Sequence, residues 1–345
     1  MVGSGSLISL DSYVAVGRET ALGTAVTTTT QLCFLSNSFK TTKESKILEE
    51  LCGSRTYGNR ISLGKKIEGS LESYYYPTED GLNYIMQNAF GGSVTSATVT
   101  AAASYTHTFA VGNLSAQTYK SLTFNVRKGD ATNGKVFVYQ GCRVSELGFN
   151  AELDEALKIS ASLIGMDSTT TGTDVSSVFT ITAQKSPLSF VAGRLSVESS
   201  VGSLTTSSFW HVQSINFKLS NSLKSDNESR RIGSDVLQVL PVGIASFELT
   251  SNMRFDTLTA YDAMLNGTKF SAEFEFLGDT LAGSSVRQGI KLVFPKVYIK
   301  DAGDPEIGGP DEVLTSEVSF DILRDNSSST GYAVQAILTN GTTSY

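Results

Sequence analysis

Through much of the chain, apolar and polar residues alternate one by one. Leu157, Ile159, Ala161 and Leu163 stand against Lys158, Ser160 and Ser162. Leu314, Val318, Phe320 and Ile322 stand against Thr315, Glu317, Ser319 and Asp321. A period of two puts one set on the buried face of a strand and the other on its wet face. Just upstream, Leu147, Phe149, Ala151 and Leu153 alternate with Gly148, Asn150 and Glu152. Asp154 to Ala156 can turn the chain, so 147–163 reads as a hairpin. Helical spacing marks two stretches. In TEDGLNYIMQNAFG (78–91) Thr78 caps, Glu79 and Asp80 suit the positive helix start, Leu82, Ile85, Met86 and Ala89 form a stripe, and Gly91 ends it. In DTLTAYDAMLNG (256–267) Asp256, Leu258, Tyr261, Leu265 and Gly267 take those roles. Each predicted helix covers a sheet.

The chain writes one passage twice. DEALKISASL begins at 154 and DEVLTSEVSF at 311. The echo extends to Gln140 and Gly141 with Gln288 and Gly289, and to Leu122, Phe124 and Val126 with Ala272, Phe274 and Phe276. GSLE (69–72) matches ASFE (245–248), Phe39 and Lys40 match Phe217 and Lys218, and Glu19, Gly23 and Thr24 match Glu198, Gly202 and Ser203. This order implies a duplicated unit. The first unit spans 1–177, with an insertion at 92–118 and a polar linker at 166–177. The second spans 178–345 and lengthens its last hairpin with the exposed loop 300–310.

Composition agrees with many short strands. The 345 residues are 40% hydrophobic and 18% charged, and the glycine count of 31 exceeds the six prolines fivefold. The expected class is all-β with short helices. A net charge of −7 argues against gripping nucleic acid by its phosphates. No apolar run is long enough for a membrane span, and the start MVGSGSLISLDSY lacks the features of a secretory signal. Cys33, Cys52 and Cys142 show no metal or redox spacing and are expected as reduced thiols.

Catalytic chemistry has little to draw on. His107 and His211 are the only histidines, in YTHTF and FWHVQ, and a structural role suits both better than a Ser/His/Asp arrangement. No zinc or calcium spacing occurs, and neither GGSV (91–94) nor NGKV (133–136) has the surroundings of a phosphate loop. No enzyme activity, cofactor or metal is expected. A β-rich chain without such a site still has sheet edges that seek partners, and a closed ring of copies removes them.

GRETALGTA (17–25), GSLE, YTHTF (105–109) and YQGCRVSELGFNAEL (139–153) resemble tail tube proteins of long-tailed, non-contractile bacteriophages, most clearly over 13–165. The resemblance implies two tandem antiparallel β-sandwich or barrel domains, each with one flanking helix. It implies self-assembly into stacked rings of six units, as three chains or six, around a channel for viral DNA. Other tail proteins would meet the tube ends. The protein would be made in the host cytoplasm and reside in the virion. On that reading the wet faces line the channel. They offer Glu146, Asn150, Glu152, Lys158 and Ser160 in the first unit, and Glu273, Glu275, Thr315, Glu317, Ser319 and Asp321 in the second, with carboxylates that repel DNA rather than bind it. Stacking falls to the segment before Val14, the insertion, the loop 300–310 and the stretch from residue 327 on. Two rivals remain: a β-rich surface adhesin or fibre subunit, and a hydrolase with paired carboxylates.

Overall fold

The computed structural model describes residues 11–50, 56–91, 94–100, 103–111, 121–130, 132–170, 172–176, 186–204, 209–255, 258–303, 313–326 and 331–345. The fold is mostly antiparallel β with two short helices. The first half contains β1 (Tyr13–Arg18), β2 (Thr30–Leu32), β3 (Ser36–Asn37), β4 (Lys40–Leu48), β5 (Asn59–Tyr74) and α1 (Asp80–Ala89). After these come β6 (Thr95–Thr100), β7 (Ser104–Ala110), β8 (Leu122–Lys128), β9 (Lys135–Glu152), β10 (Lys158–Gly165) and β11 (Asp167–Thr169).

β9 runs through both layers of this half. Its first part pairs with β8 and β11, its second with β10. The change falls at Gly141, where φ is +66° and a Cβ would lie 2.7 Å from Met166 Cγ, so glycine alone fits the bulge. One layer is ordered β2-β1-β8-β9-β11, the other β4-β5-β10-β9. Between them the Phe39 ring centroid lies 4.9 Å from that of Phe124 and 5.0 Å from that of Tyr139. Leu147, Phe149, Ala151, Leu157, Ile159, Ala161 and Leu163 are all buried, as their alternation requires. Asp154 makes the β9–β10 turn at φ +62°, a left-handed conformation that aspartate tolerates.

α1 buries Leu82, Ile85, Met86 and Ala89 against this core. Glu79, not Thr78, occupies its N-cap, and Glu79 Oε1 accepts the Cys33 N–H at 2.9 Å, which ties the helix to the loop after β2. The run 166–177, expected as a loose linker, is partly structured: β11 pairs with β9, and the Val175 N–H donates to the Tyr13 hydroxyl.

The second half contains β12 (Gly193–Glu198), β13 (Phe209–Trp210), β14 (Val212–Ser220), β15 (Ser246–Arg254), α2 (Thr259–Asn266), β16 (Lys269–Thr280), β17 (Arg287–Ala302), β18 (Thr315–Ile322) and β19 (Gln335–Asn340). The pairings β1–β8–β9–β10–β5–β4 recur as β12–β16–β17–β18–β15–β14. β13 flanks β12 as β2 flanks β1, and β19 flanks β17 as β11 flanks β9. With Lys158 level with Thr315, the ladders slip at the same step, after Ser162 in one and Ser319 in the other.

Two sequence matches are out of register. Gly69 faces Leu163 and Leu249 faces Phe320, so Gly69 is level with Leu249 and not with Ala245. Phe124 faces Tyr139 and Phe274 faces Leu292, so Gln140 is level with Val293 and not with Gln288. The first slip is four residues, and an even slip keeps every side chain on its face, where alternation cannot detect it; the second is five, in ladders whose register shifts break the alternation. α2 also departs from expectation. It ends at left-handed Gly267 as predicted, but Leu258 and Leu265 are 57% and 66% exposed. Ala260, Ala263 and Met264, on the other side of the helix, turn to the core. Asp256 lies outside the described residues.

Two joints unite the halves. β14 pairs with β9 from Ser214↔Glu152 to Ser220↔Glu146, giving one run ordered β4-β5-β10-β9-β14-β15-β18-β17. Across this seam Phe217 faces Phe149, both fully buried, and Lys218 Nζ lies 3.1 Å from Glu146 Oε1 at the surface. Asn221 Nδ2 donates to the carbonyls of Ala89 and Val144, binding the end of β14 to α1 and β9.

The second joint is the insertion. β6 and β7 form a hairpin, and β7 pairs with β19 from Tyr105↔Asn340 to Ala110↔Gln335. The described part of the insertion therefore extends the second half's sheet through β7, with β6 exposed, and β19 is paired on both sides, by β17 and β7. Residues 112–120 of the insertion and 304–312 of the late loop lie outside the described residues. His107 on β7 is fully buried. Its Nε2 lies 2.8 Å from Thr342 O and 3.1 Å from Asn340 Oδ1, both acceptors, so Nε2 carries the proton and Nδ1 accepts from Ser96 Oγ at 2.9 Å. The Tyr345 hydroxyl donates to Asp80 Oδ1 at 2.9 Å and accepts from Asn83 Nδ2 at 2.9 Å. Burial, with Asp80 alongside, pushes that phenol well above its usual range.

Burial lowers the His107 imidazole below its ordinary 6.5, with bonds to Thr342 and Asn340 opposing the shift. The unfolded chain then takes up the proton first as pH falls. The stabilisation is complete above about pH 6.5 and is lost as pH drops through the lowered value. His107→Gln is expected to cost about 1–3 kcal/mol at neutral pH through the broken buried bonds, with the gap to the unsubstituted protein narrowing in acid. Denaturant titrations across that range check it, and a gap independent of pH contradicts it.

At the seam, Phe217→Ala is expected to cost about 3–5 kcal/mol by opening a cavity. Lys218→Ala, which removes a surface ion pair, costs about 1 kcal/mol or less. Chemical denaturation separates the two.

Candidate functional site

The eight-strand run has a core face and a polar face. On the polar face, cross-strand registers stack the side chains in rows. Glu72, Ser160, Gly148, Lys218 and Glu248 form one row. Tyr74, Lys158, Asn150, Asn216, Thr250, Ser319 and Asp301 form the next. Glu152, Ser214, Asn252 and Glu317 form a third. At the seam the face sinks into a depression of about 460 Å³.

Glu146, Asn150, Glu152, Lys158 and Ser160 all line that depression. Thr315, Glu317, Ser319 and Asp321 continue the same face on β18, beyond β15. Glu152, Ser160, Glu317 and Asp321 are exposed, and the other five are half-buried.

Glu273 and Glu275 do not join them. They lie on β16, in the other layer, between β12 and β17. They are 8% and 7% exposed. Lys291 Nζ sits 3.0 Å from Glu273 Oε1 and 3.3 Å from Glu275 Oε1, and Arg194 Nη2 contacts both carboxylates. Alternation told which residues of β16 share a face, but not which layer owned the strand. These acids are neutralised in place, as buried carboxylates must be.

Sequence reasoning missed Glu72, Asn216 and Lys218, which also line the depression. Lys218 alternates with Phe217 and Leu219 and could have been found by the same rule. Carboxylates outnumber cations on the polar face. Glu68, Glu72, Glu146, Glu152, Glu248, Asp301, Glu317 and Asp321 face Lys40, Lys66, Lys158, Lys218 and Arg254. Part of this charge is paired: Lys66 Nζ lies 2.6 Å from Glu68 Oε1, and Lys218 binds Glu146. Lys158 binds Glu155, whose hydrogen bond raises the lysine pKa. Asn150 Nδ2 donates to Glu152 Oε1 at 3.4 Å. Among the described residues Glu317 and Asp321 have no ion-pair partner. The face is thus a hydrated, net-negative surface of short hydroxyl and amide side chains.

The histidines lie elsewhere. His107 is locked in the β7–β19 network, and His211 Nδ1 lies 3.4 Å from the Arg254 guanidinium. Among the described residues no three His, Cys, Asp or Glu side chains gather as metal ligands do. Cys142 is buried beside Glu19, and both push its thiol pKa well up, away from reactivity. No helix among the described residues is long and apolar enough to cross a membrane.

A family model described as phage tail tube protein matches residues 9–322, nearly the whole chain. No curated protein matches the chain. The chain belongs to the phage tail tube protein family, and it is a structural component of the virion tail that assembles with other tail subunits.

Proposed function

We propose that this chain is the major tube subunit of a long-tailed, non-contractile phage. Its copies close into rings, the rings stack, and the polar face of the eight-strand run lines the channel through which viral DNA leaves. Residues 1–177 and 178–345 act as two units of one duplicated design, so three chains supply a ring of six. The observation that carries this reading is the β9–β14 seam: two four-strand sheets of like order are joined edge to edge, and among the described residues no strand pairs with the outer edge of β4 or with that of β17 beyond Tyr298. A unit that continues its sheet into a like unit has the geometry from which rings are built.

The channel works by not binding. Its excess carboxylates repel phosphates over the screening length of roughly 8 Å in physiological salt, and DNA that does not adhere does not stall. Contacts between stacked rings fall to the β4–β5 hairpin, where Ile47, Ile61 and Leu63 are exposed, and to the segments before residue 11 and at 304–312. Other tail proteins meet the tube at its ends.

Electron microscopy of the purified protein is expected to show rings or hollow tubes with six similar lobes, and the isolated ring should have the mass of three chains. Compact monomers at every concentration and salt level refute the reading. Glu152→Lys with Glu317→Lys is expected to leave tubes intact and to slow DNA passage, measured as genome ejection from reconstituted particles. Ejection at the original rate refutes the repulsion mechanism.

A further inference from the structure

We infer that neighbouring copies join β17 of one chain to β4 of the next in the register of the internal seam, with Asp301 facing Thr42 and the Lys40 ammonium on the Asp301 carboxylate. This rests on the ring reading above and specifies its contact.

The seam supplies the template. Within the chain, β9 offers an edge and β14 accepts it. β17 is the counterpart of β9: Ser162 faces Glu146, and Ser319, level with Ser162, faces Asp301. Asp301 therefore stands where Glu146 stands, and Gly303 where Gly148 stands. β4 is the counterpart of β14, with Lys40 in the place of Lys218 and Thr42 in that of Ser220. Among the described residues no strand covers the outer edge of β4, nor that of β17 beyond Tyr298.

Two independent features of these edges fit the match. The first is charge. Across the internal seam Lys218 reaches diagonally, past Gly148, to Glu146 at 3.1 Å. Lys40 and Asp301 occupy the same two places on the free edges, both are exposed, and neither has an ion-pair partner among the described residues. The second is the backbone. The Gly303 N–H bonds inward to Glu317 O, so the Ala302 N–H points outward, where it meets the thioether of Met264 at 3.3 Å. A thioether is a weak acceptor. A carbonyl from an incoming β4 is a stronger one, and completes the ladder as β14 completes it for β9.

The register is testable because Asp301 and Thr42 would form a non-hydrogen-bonded antiparallel pair. Their Cα atoms would then lie about 4.5 Å apart, within disulfide range. The full chain carrying Thr42→Cys and Asp301→Cys, mildly oxidised, is expected to give interchain cross-links that close at the trimer. Neither single substitution should do so, which controls for the native cysteines. Rings that form while the double variant cross-links no better than the single ones overturn the register and leave the ring reading intact. Absence of rings from the unsubstituted protein overturns both.

A charge exchange covers the case in which the cysteine variants misfold. Lys40→Glu and Asp301→Lys should each lose assembly while keeping the β-rich circular dichroism of the monomer, and together they should recover it. Equal assembly by all three variants overturns the pairing.

Discussion

A sheet leaves a row of N–H and C=O groups at each edge, and those groups must find partners. This chain meets that demand by lending strands between its halves. β9 of the first half is completed by β14 of the second, and β19 of the second by β7 of the first. The buried core follows these loans: one apolar cluster runs from Val14 to Leu338 without a break between the halves. Phe149 and Phe217, facing each other across the seam, are as buried as any residue deep in either layer. The halves are alike in order of pairing, yet together they form a single body.

What the sequence made legible was local. Alternation at 147–163 and 314–322 separated buried from wet residues within the strands, because a half-buried strand leaves no choice, but failed outside them, where Leu153 and Leu314 are 51% and 38% exposed. The helix at 80–89 was legible from its stripe. At α2 the apolar residues are spread around the helix, so the stripe through Leu258 and Leu265 and the one through Ala260, Ala263 and Met264 compete. Packing against β17 selects the second. The match of GSLE with ASFE failed as a register because a few residues in a period-two sequence fit at several even offsets, and that of the two Gln-Gly pairs because the ladders around them carry register shifts.

Non-local pairing was not legible. Nothing near Thr106 or Thr108 announces that their strand will lie beside residues 335–340, and nothing near Glu273 reveals that Arg194 and Lys291 will close over it. The same limit explains why the polar face was only partly read. Glu72 belongs to it through the pairing of β5 with β10, and Lys218 through a seam that joins positions about seventy residues apart along the chain. Its character is collective: single charges are paired or exposed in an ordinary way, and the net sign emerges only when eight strands are laid side by side.

The hairpin of β6 and β7 carries one further implication. Its hydrogen-bonding complement is encoded more than two hundred residues downstream, and the His107 to Thr342 contact spans 235 positions. Contacts of such sequence separation form late, after the entropy of a long loop has been overcome. During biosynthesis β7, paired only with β6, must wait for its second neighbour until β19 has been translated, so shutting the molecule is among its final acts of maturation.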